Sequence, residues 1–331
     1  MAIDIGTVNA DTSVKLGTTT IQSGYIGFNQ FYNTYTSILD LYPTSVHHAY
    51  SLRKLRSTYT RACLRVRRTT TTPSVTSTTV DLYFDVYNTI SLNSSITFIS
   101  GTTTTAKTLG EFCASTGYTN PDGVNTNQSV FVVTWFDQSG NGKNPTQTTA
   151  GSQPRLVNAG SLEIKDGKIS VRFVKASTNS LSIVDTTANI NNMSSYFVGA
   201  FVTNVTLNIG YGLSGAGTNR FYFPSQGSNI FAGYSTSAGA ITLETGNTIT
   251  NRRLFELISP LPGSTTLAQG WSNGVAKGTF ALGSGATVRI ELGVGVLTSY
   301  FDGYIQEIIG WQSNLNRVEK EANINAYWQV Y

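Results

Sequence analysis

Short apolar stretches recur along the whole chain, and glycine, asparagine, serine or proline closes each of them off. Val80-Asp81-Leu82-Tyr83-Phe84-Asp85-Val86-Tyr87 alternates with period two. From Ala62 to Arg68, Ala62, Leu64 and Val66 point one way while Arg65 and Arg67 point the other. Val130-Phe131-Val132-Val133-Thr134-Trp135-Phe136 is nearly continuous in apolar residues, as a central strand covered on both faces would be. Ile169–Phe173, Leu181–Val184, Tyr196–Val202, Phe221–Phe223, Arg289–Leu292 and Tyr304–Trp311 follow. Strands this short and this numerous bury their apolar faces by stacking sheet on sheet, so the pattern predicts an all-β sandwich.

Two segments read as helices. Val46, Ala49, Tyr50, Leu52 and Leu55 fall at helical spacing, with Ser45 able to cap the start, which predicts a helix over Ser45–Arg56. Near the C-terminus, Asn316 stands three residues before Glu319 as in a capping arrangement, and Leu315, Val318, Ala322 and Trp328 supply an apolar stripe. Residues 1–37 show no sustained period, and we read them as an N-terminal docking arm ahead of one domain over 38–331. Tyr25, Phe28, Phe31, Tyr32 and Tyr35 would be its anchors, because exposed aromatics need a covering surface.

Composition narrows the function classes. Charged residues are 12% of the 331, about half the usual share of roughly 25%, which excludes a charge-rich disordered chain or long coiled coil. Net charge is +4 and the one dense basic run, Arg53 to Arg68, is expected to meet solvent, carboxylates or carbonyls and not nucleic acid. No apolar run reaches the ~18 residues of a membrane span, and Met1–Thr20 lacks the basic start and apolar centre of a secretory signal, so the expectation is a soluble chain with no membrane partner. Cys63 and Cys113 are expected to be unbridged. His47 and His48 would diverge by about 100° on a helix, which leaves no metal centre and no cofactor to expect.

Three stretches carry a resemblance. Ala49-Tyr50-Ser51-Leu52-Arg53-Lys54-Leu55, continuing to Arg65-Val66-Arg67-Arg68, is similar to the opening of the arabinofuranosidase B type catalytic domain. Phe112-Cys113-Ala114, and then Val133 through Asn144 with Thr146-Gln147, resembles that domain's strand and its turn Asp137-Gln138-Ser139-Gly140-Asn141-Gly142. Phe301 through Gly310 with the closing helix resembles the end of a concanavalin A-like lectin or laminin-G-type sandwich. The resemblance implies a concanavalin A-like (jelly-roll) β-sandwich. The turn also accounts for itself as a folded loop, since Gly140 and Gly142 allow positive φ and Asp137, Ser139 and Asn141 close Asx-type turns. Its alternating oxygens mimic half of a calcium loop, but Thr148 stands where the bidentate glutamate belongs, so no metal is expected.

A glycosidase of this kind needs two carboxyl groups flanking the anomeric carbon. In the stretches matching the family's acid-base aspartate, nucleophilic glutamate and vicinal cysteines, Leu292–Ser299, Thr218–Tyr222 and Leu207–Tyr211, none of these residues is present. Asp302 and Glu307 point to opposite faces of a strand, and Asp81 and Asp85 stand roughly 13 Å apart, so neither pair substitutes. The expectation is therefore no enzyme. Domains with this start resemble virion proteins of tailed phages of Bacteroidetes-type hosts, which implies a virion component assembled in the host cytoplasm, partnered by itself and other virion proteins. Surface glycans are a further expected partner, with Trp271 and Asn273 as candidate contacts beside Gly270, Ser272 and Gly274; the other reading of Trp271 is a strand-end ring packed on the core. A catalytic arabinofuranosidase and a stand-alone lectin are the alternatives.

Overall fold

The computed structural model describes residues 36–331 apart from 69–78, 100–103, 124–126, 190–191, 203–207, 216–219, 227–228, 235–239, 246–249, 261–262, 264–266, 282–286 and 296–298. In the first 35 residues it describes only two small antiparallel pairs, Lys15–Leu16 with Thr19–Thr20 and Tyr25–Ile26 with Asn29–Gln30. The chain divides into Met1–Thr36 and Ser37–Tyr331. Of the five arm aromatics, Phe28, Phe31, Tyr32 and Tyr35 lie outside the described residues, and Tyr25 is described by its backbone alone.

Two antiparallel sheets build the larger unit. The longer strands, in chain order, are β1 (Val46–Ser51), β2 (Leu64–Arg68), β3 (Thr79–Leu82), β4 (Ile96–Phe98), β5 (Val130–Trp135), β6 (Arg155–Asn158), β7 (Val171–Phe173), β8 (Leu181–Val184), β9 (Met193–Phe201), β10 (Asn208–Gly215), β11 (Arg220–Gln226), β12 (Asn229–Tyr234), β13 (Ala240–Thr245), β14 (Arg253–Ser259), β15 (Leu267–Ser272), β16 (Val275–Ala281), β17 (Thr287–Leu292) and β18 (Gly303–Trp311). The large sheet runs β16-β15-β14-β9-β18-β7-β6-β5-β2-β3-β4, and the smaller one β8-β17-β10-β11-β12-β13. One edge of β18 serves two partners, β7 against residues 303–305 and β1 against 307–311.

The sheets meet through rings. Phe197 on β9 stacks on Phe255 of β14 (6.1 Å, 16°) and, across the sandwich, on Phe223 of β11 (5.7 Å, 19°). Gly270 on β15 is required by the same closeness, because a Cβ there would sit 2.5 Å from Ile241 and 2.8 Å from Leu243 of the facing sheet. Cys63 and Cys113 are buried and free. Strand β5 is interior to the sheet, between β6 and β2, but Phe131 and Val133 on its second face are only half-buried.

The predicted helix over Ser45–Arg56 is strand β1. Ser45 has φ 59°, and from Val46 to Ser51 every residue after the first is buried. A strand covered on both faces loses its period-two signature, so Val46, Ala49, Tyr50, Leu52 and Leu55 only coincidentally fit a helical stripe; pairing with β18 decides the conformation. The short helices are α1 (Ile38–Leu41), α2 (Leu109–Phe112) and α3 (Arg317–Trp328). A capping box of Thr108 and Glu111 starts α2. At α3 the expected cap is absent: Asn316 sits at φ 57° with no side-chain cap bond.

The apolar stripe of α3 is also rotated from the predicted one. Leu315, Val318 and Ala322 are exposed, and the helix buries Lys320, Glu321, Ile324 and Trp328 instead. Cations set this rotation. Lys320 Nζ lies 4.3 Å from the Trp311 ring centre and donates to the Leu315 carbonyl, and the Arg317 guanidinium lies 4.6 Å over Trp271. Arg317 Nη1 donates to both Glu256 (2.9 Å) and Glu321 (2.7 Å). Burial, with Glu321 close by, still pushes the Glu256 carboxyl up to about 8.

Arg53 does the same at the other end of β1. Its side chain is 3% exposed, its Nε and Nη2 donate to Glu307 at 2.7 and 3.0 Å, and its Nη1 donates to Asn323 of α3. Ser51 Oγ donates a third bond to Glu307, which is itself fully buried. The Arg53–Arg68 run therefore forms no single basic face, since Arg53 and Arg68 are both inside. Replacing Arg53 by Met would strand the Glu307 charge, and the expected loss is about 3–5 kcal/mol in urea denaturation. A loss below about 1 kcal/mol would contradict the role given to this pair.

Candidate functional site

The turn Asp137–Asn144 lies against the free edge of β1 and clamps it. Asp137 Oδ1 accepts from Ala49 N (2.8 Å) and Ser139 N (2.9 Å), and Oδ2 accepts from Ser139 Oγ (2.6 Å) and Lys143 N (3.1 Å). Gln138 accepts from Leu55 N and donates to the Ser51 and Arg53 carbonyls, while Asn141 Nδ2 donates to those of Val46 and His47. Gly140 and Gly142 take φ 92° and 71°, where a side chain would be strained. Both carboxylate oxygens of Asp137 thus already face N–H and O–H donors, the wrong environment for a calcium ligand. Burial raises the Asp137 carboxyl in spite of these four bonds.

On one side of this turn is a cleft of about 420 Å³. Tyr59, Tyr83 and Phe136 line it, each half-buried, together with Arg61, Arg65 and Asp81. The outward alternation of β2 and β3 places Arg65 opposite Asp81 in register. Arg65 Nε and Nη2 donate to the two Asp81 oxygens at 2.8 and 3.1 Å, a bidentate pair, and the guanidinium lies over the Phe136 ring at 5.6 Å. Tyr59 donates to the Ala62 carbonyl and packs edge-on against Phe84. Apolar ring faces and fixed polar groups therefore share one open concavity.

On the other side is a cleft of about 410 Å³ with His47, Asn141, Lys143, Thr187 and Gln312 at its wall. Because β1 is a strand, His47 and His48 do not diverge as a helix would make them. Their Nδ1 atoms are 2.8 Å apart, His47 Nε2 is 3.1 Å from Asp185, and His48 Nε2 is 2.7 Å from the Tyr211 hydroxyl. With both rings neutral, one tautomer assignment fits: Tyr211 donates to His48 Nε2, His48 Nδ1–H donates to His47 Nδ1, and His47 Nε2–H faces Thr187 Oγ1 and Asp185. Burial pushes Asp185 up, but bonds from His47, Lys143 and Thr187 outweigh it and hold the carboxyl well below the usual range. Burial, reinforced by His47, pushes His48 well down.

The remaining predicted contacts separate. Trp271 on β15 is 7% exposed and lies under Arg317, so it is the packed strand-end ring and not an exposed platform. Asn273 takes φ 48° in the hairpin turn, and its Oδ1 accepts from Leu254 N. Asp302 pairs with Arg172 at 2.5 Å, as Glu307 pairs with Arg53. The cleft residues Tyr59, Tyr83 and Phe136 were not singled out as a site from sequence. The alternation around Arg65 and Asp81 was visible, but their meeting with Phe136 depends on the order β5-β2-β3.

Two antiparallel sheets stacked through Phe197 and Phe223 define the class, an all-β sandwich with few short helices. No family model matches the chain, and no curated protein matches it. A solved GH54 α-L-arabinofuranosidase soaked with a cyclic sulfate inhibitor is similar at TM-score 0.55 and 14% identity, over 88% of this chain and 65% of that one. A glutamate-to-glutamine mutant of a GH54 α-L-arabinofuranosidase soaked with 4-nitrophenyl α-L-arabinofuranoside gives 0.55 at 15% identity with the same coverage. The crystal structure of an arabinofuranosidase complexed with arabinofuranosyl-α-1,2-xylobiose gives 0.50 at 15%, again with 88% and 65% covered. The chain thus spans 65% of the length of these structures, and at such identities the likeness establishes the fold.

Buried His48, held well below the ordinary histidine range, is sensitive to acid. A histidine whose folded pKa is depressed takes up its proton in the unfolded state first, so stability is lost as pH falls below about 6.5, by up to roughly 1.4 kcal/mol per pH unit. Thermal melts between pH 7 and 5 are expected to fall more steeply for the natural chain than for H48Q. Parallel slopes would contradict the assignment.

Proposed function

We propose that this protein is a non-catalytic, glycan-binding component of a phage particle, with the cleft between Tyr59, Tyr83 and Phe136 as its sugar site. One observation carries the glycan reading: half-exposed ring faces stand beside a fixed bidentate Arg65–Asp81 pair in an open concavity of about 420 Å³. Rings bury the apolar face of a pyranose or furanose, and the pair offers donors and acceptors at fixed spacing for its hydroxyl groups. The likeness in fold to arabinofuranosidases supports a carbohydrate ligand by analogy.

The non-catalytic part rests on how the carboxylates beside the clefts are engaged. Asp81 is held by Arg65, Asp137 by four donors, and Asp185 by His47, Lys143 and Thr187. A general acid must release a proton to the leaving oxygen, and a carboxyl held well below its ordinary range, as Asp185 is, has none to release. The particle assignment is supported by the resemblance of the Ala49–Leu55 opening to virion proteins of tailed phages and by a surface of few charges. In that reading the protein assembles in the host cytoplasm, and residues 1–37 dock it to copies of itself or to other virion proteins.

Binding of the purified protein to an oligosaccharide array, followed by titration calorimetry, tests the site. Y83A and R65A are each expected to weaken the bound glycan at least tenfold while melting near the natural chain. Incubation with 4-nitrophenyl α-L-arabinofuranoside is expected to release no nitrophenol. Release that D185N or D81N abolishes would make the protein a hydrolase, and an array with no bound glycan would remove the sugar reading.

A further inference from the structure

Two arginines and two aspartates line this cleft, and both aspartates are already engaged by donors. Asp81 has both oxygens occupied by Arg65, and Asp137 has both occupied by four N–H and O–H groups. Asn144 has its Oδ1 taken by the Asp137 N–H, which turns its Nδ2 amide outward as a donor. Arg65 binds Asp81 through Nε and Nη2 and keeps Nη1. Arg61 is exposed on the cleft wall and makes no ion pair among the described residues. Arg61 and Tyr59 line the same cleft, two residues apart in sequence.

Of the two arginines lining this cleft, Arg65 makes an ion pair and Arg61 makes none among the described residues. Arg53, Arg68, Arg155, Arg172 and Arg317 each have a carboxylate within 3.0 Å. A neutral sugar brings hydroxyl groups that both donate and accept, and it would leave a guanidinium beside it without a countercharge. A carboxylate brings acceptors only and matches a planar five-donor fork. We propose that the cleft selects an acidic sugar, whose carboxylate is bound by Arg61 while its ring lies on the Tyr83 and Phe136 faces. The inference rests on the glycan-binding reading above and names its ligand class. Arg61 and Arg65 together give the contact its charge, and since Arg61 is solvent-exposed the attraction is screened by salt.

The test compares acid and neutral partners of nearly equal size by titration calorimetry: oligogalacturonate and sialyllactose, each against its own carboxyl methyl ester. At least a tenfold preference for an acid form is expected, falling as salt rises from 50 to 500 mM and reduced to less than threefold in R61Q. R61K, which keeps the charge but not the fork, is expected to fall between them, and melting curves of both variants check that the fold is intact. Preference in the first pair alone identifies a uronate, and in the second alone a sialate; either supports the proposal. Equal affinity within both pairs, or a preference that R61Q retains, overturns the acidic-sugar inference and leaves the glycan site standing. No binding of any of the four overturns the acidic-sugar inference, and the oligosaccharide array decides the glycan reading separately.

Discussion

Strand β1 depends on Asp137. This strand has a sheet partner on one edge, β18, and its other edge meets the Asp137–Asn144 turn in place of a strand. Ala49 N, Ser139 N and Lys143 N all end on the Asp137 carboxylate, and a buried N–H left without such a partner costs about 1–3 kcal/mol. Gln138 and Asn141 bind the carbonyls along the same edge, so the eight-residue turn substitutes for a neighbouring strand.

The two clefts share that wall. Lys143 donates its backbone N–H to Asp137 and its Nζ to Asp185, at 3.1 and 2.7 Å, so one residue spans from the turn to the histidine chain. Tyr50 adds a further tie, its hydroxyl donating to the Lys143 carbonyl while its ring stacks on His48. The consequence is rigidity: the groups that shape either cleft are held by bonds to elements distant in sequence, which pre-organises them before any ligand arrives.

Few charges are present in this chain, and eleven of those described are buried. Glu307 with Arg53, Asp122 with Arg68, and Glu256 with Arg317 each join elements that lie far apart in sequence. Buried pairs of this kind are sensitive to loss of one member, and they fix the register in which strands and helix α3 meet. Arg61, on the wall of the aromatic cleft, is not among these pairs.

Much of the sheet architecture was legible in the sequence. Leu181–Val184 is β8 as read, β2, β3, β5, β11, β17 and β18 overlap their predicted stretches, and the turn Asp137–Asn144 was recognised as a self-closing loop, because alternation and turn residues act locally. What escaped was set at a distance. The stretch from Val46 to Ser51 has no intrinsic period once both faces are buried, and only β18 and the turn make it a strand. The rotation of α3 follows from Trp311 and Trp271, which draw Lys320 and Arg317 under a helix whose apolar stripe points elsewhere. The candidate cleft has the same origin: Tyr59, Arg65, Asp81 and Phe136 are dispersed over 78 positions of the chain and become one surface only when β5, β2 and β3 lie side by side. Local sequence decides which residues alternate; which alternating faces meet is decided by the order in which the strands pair.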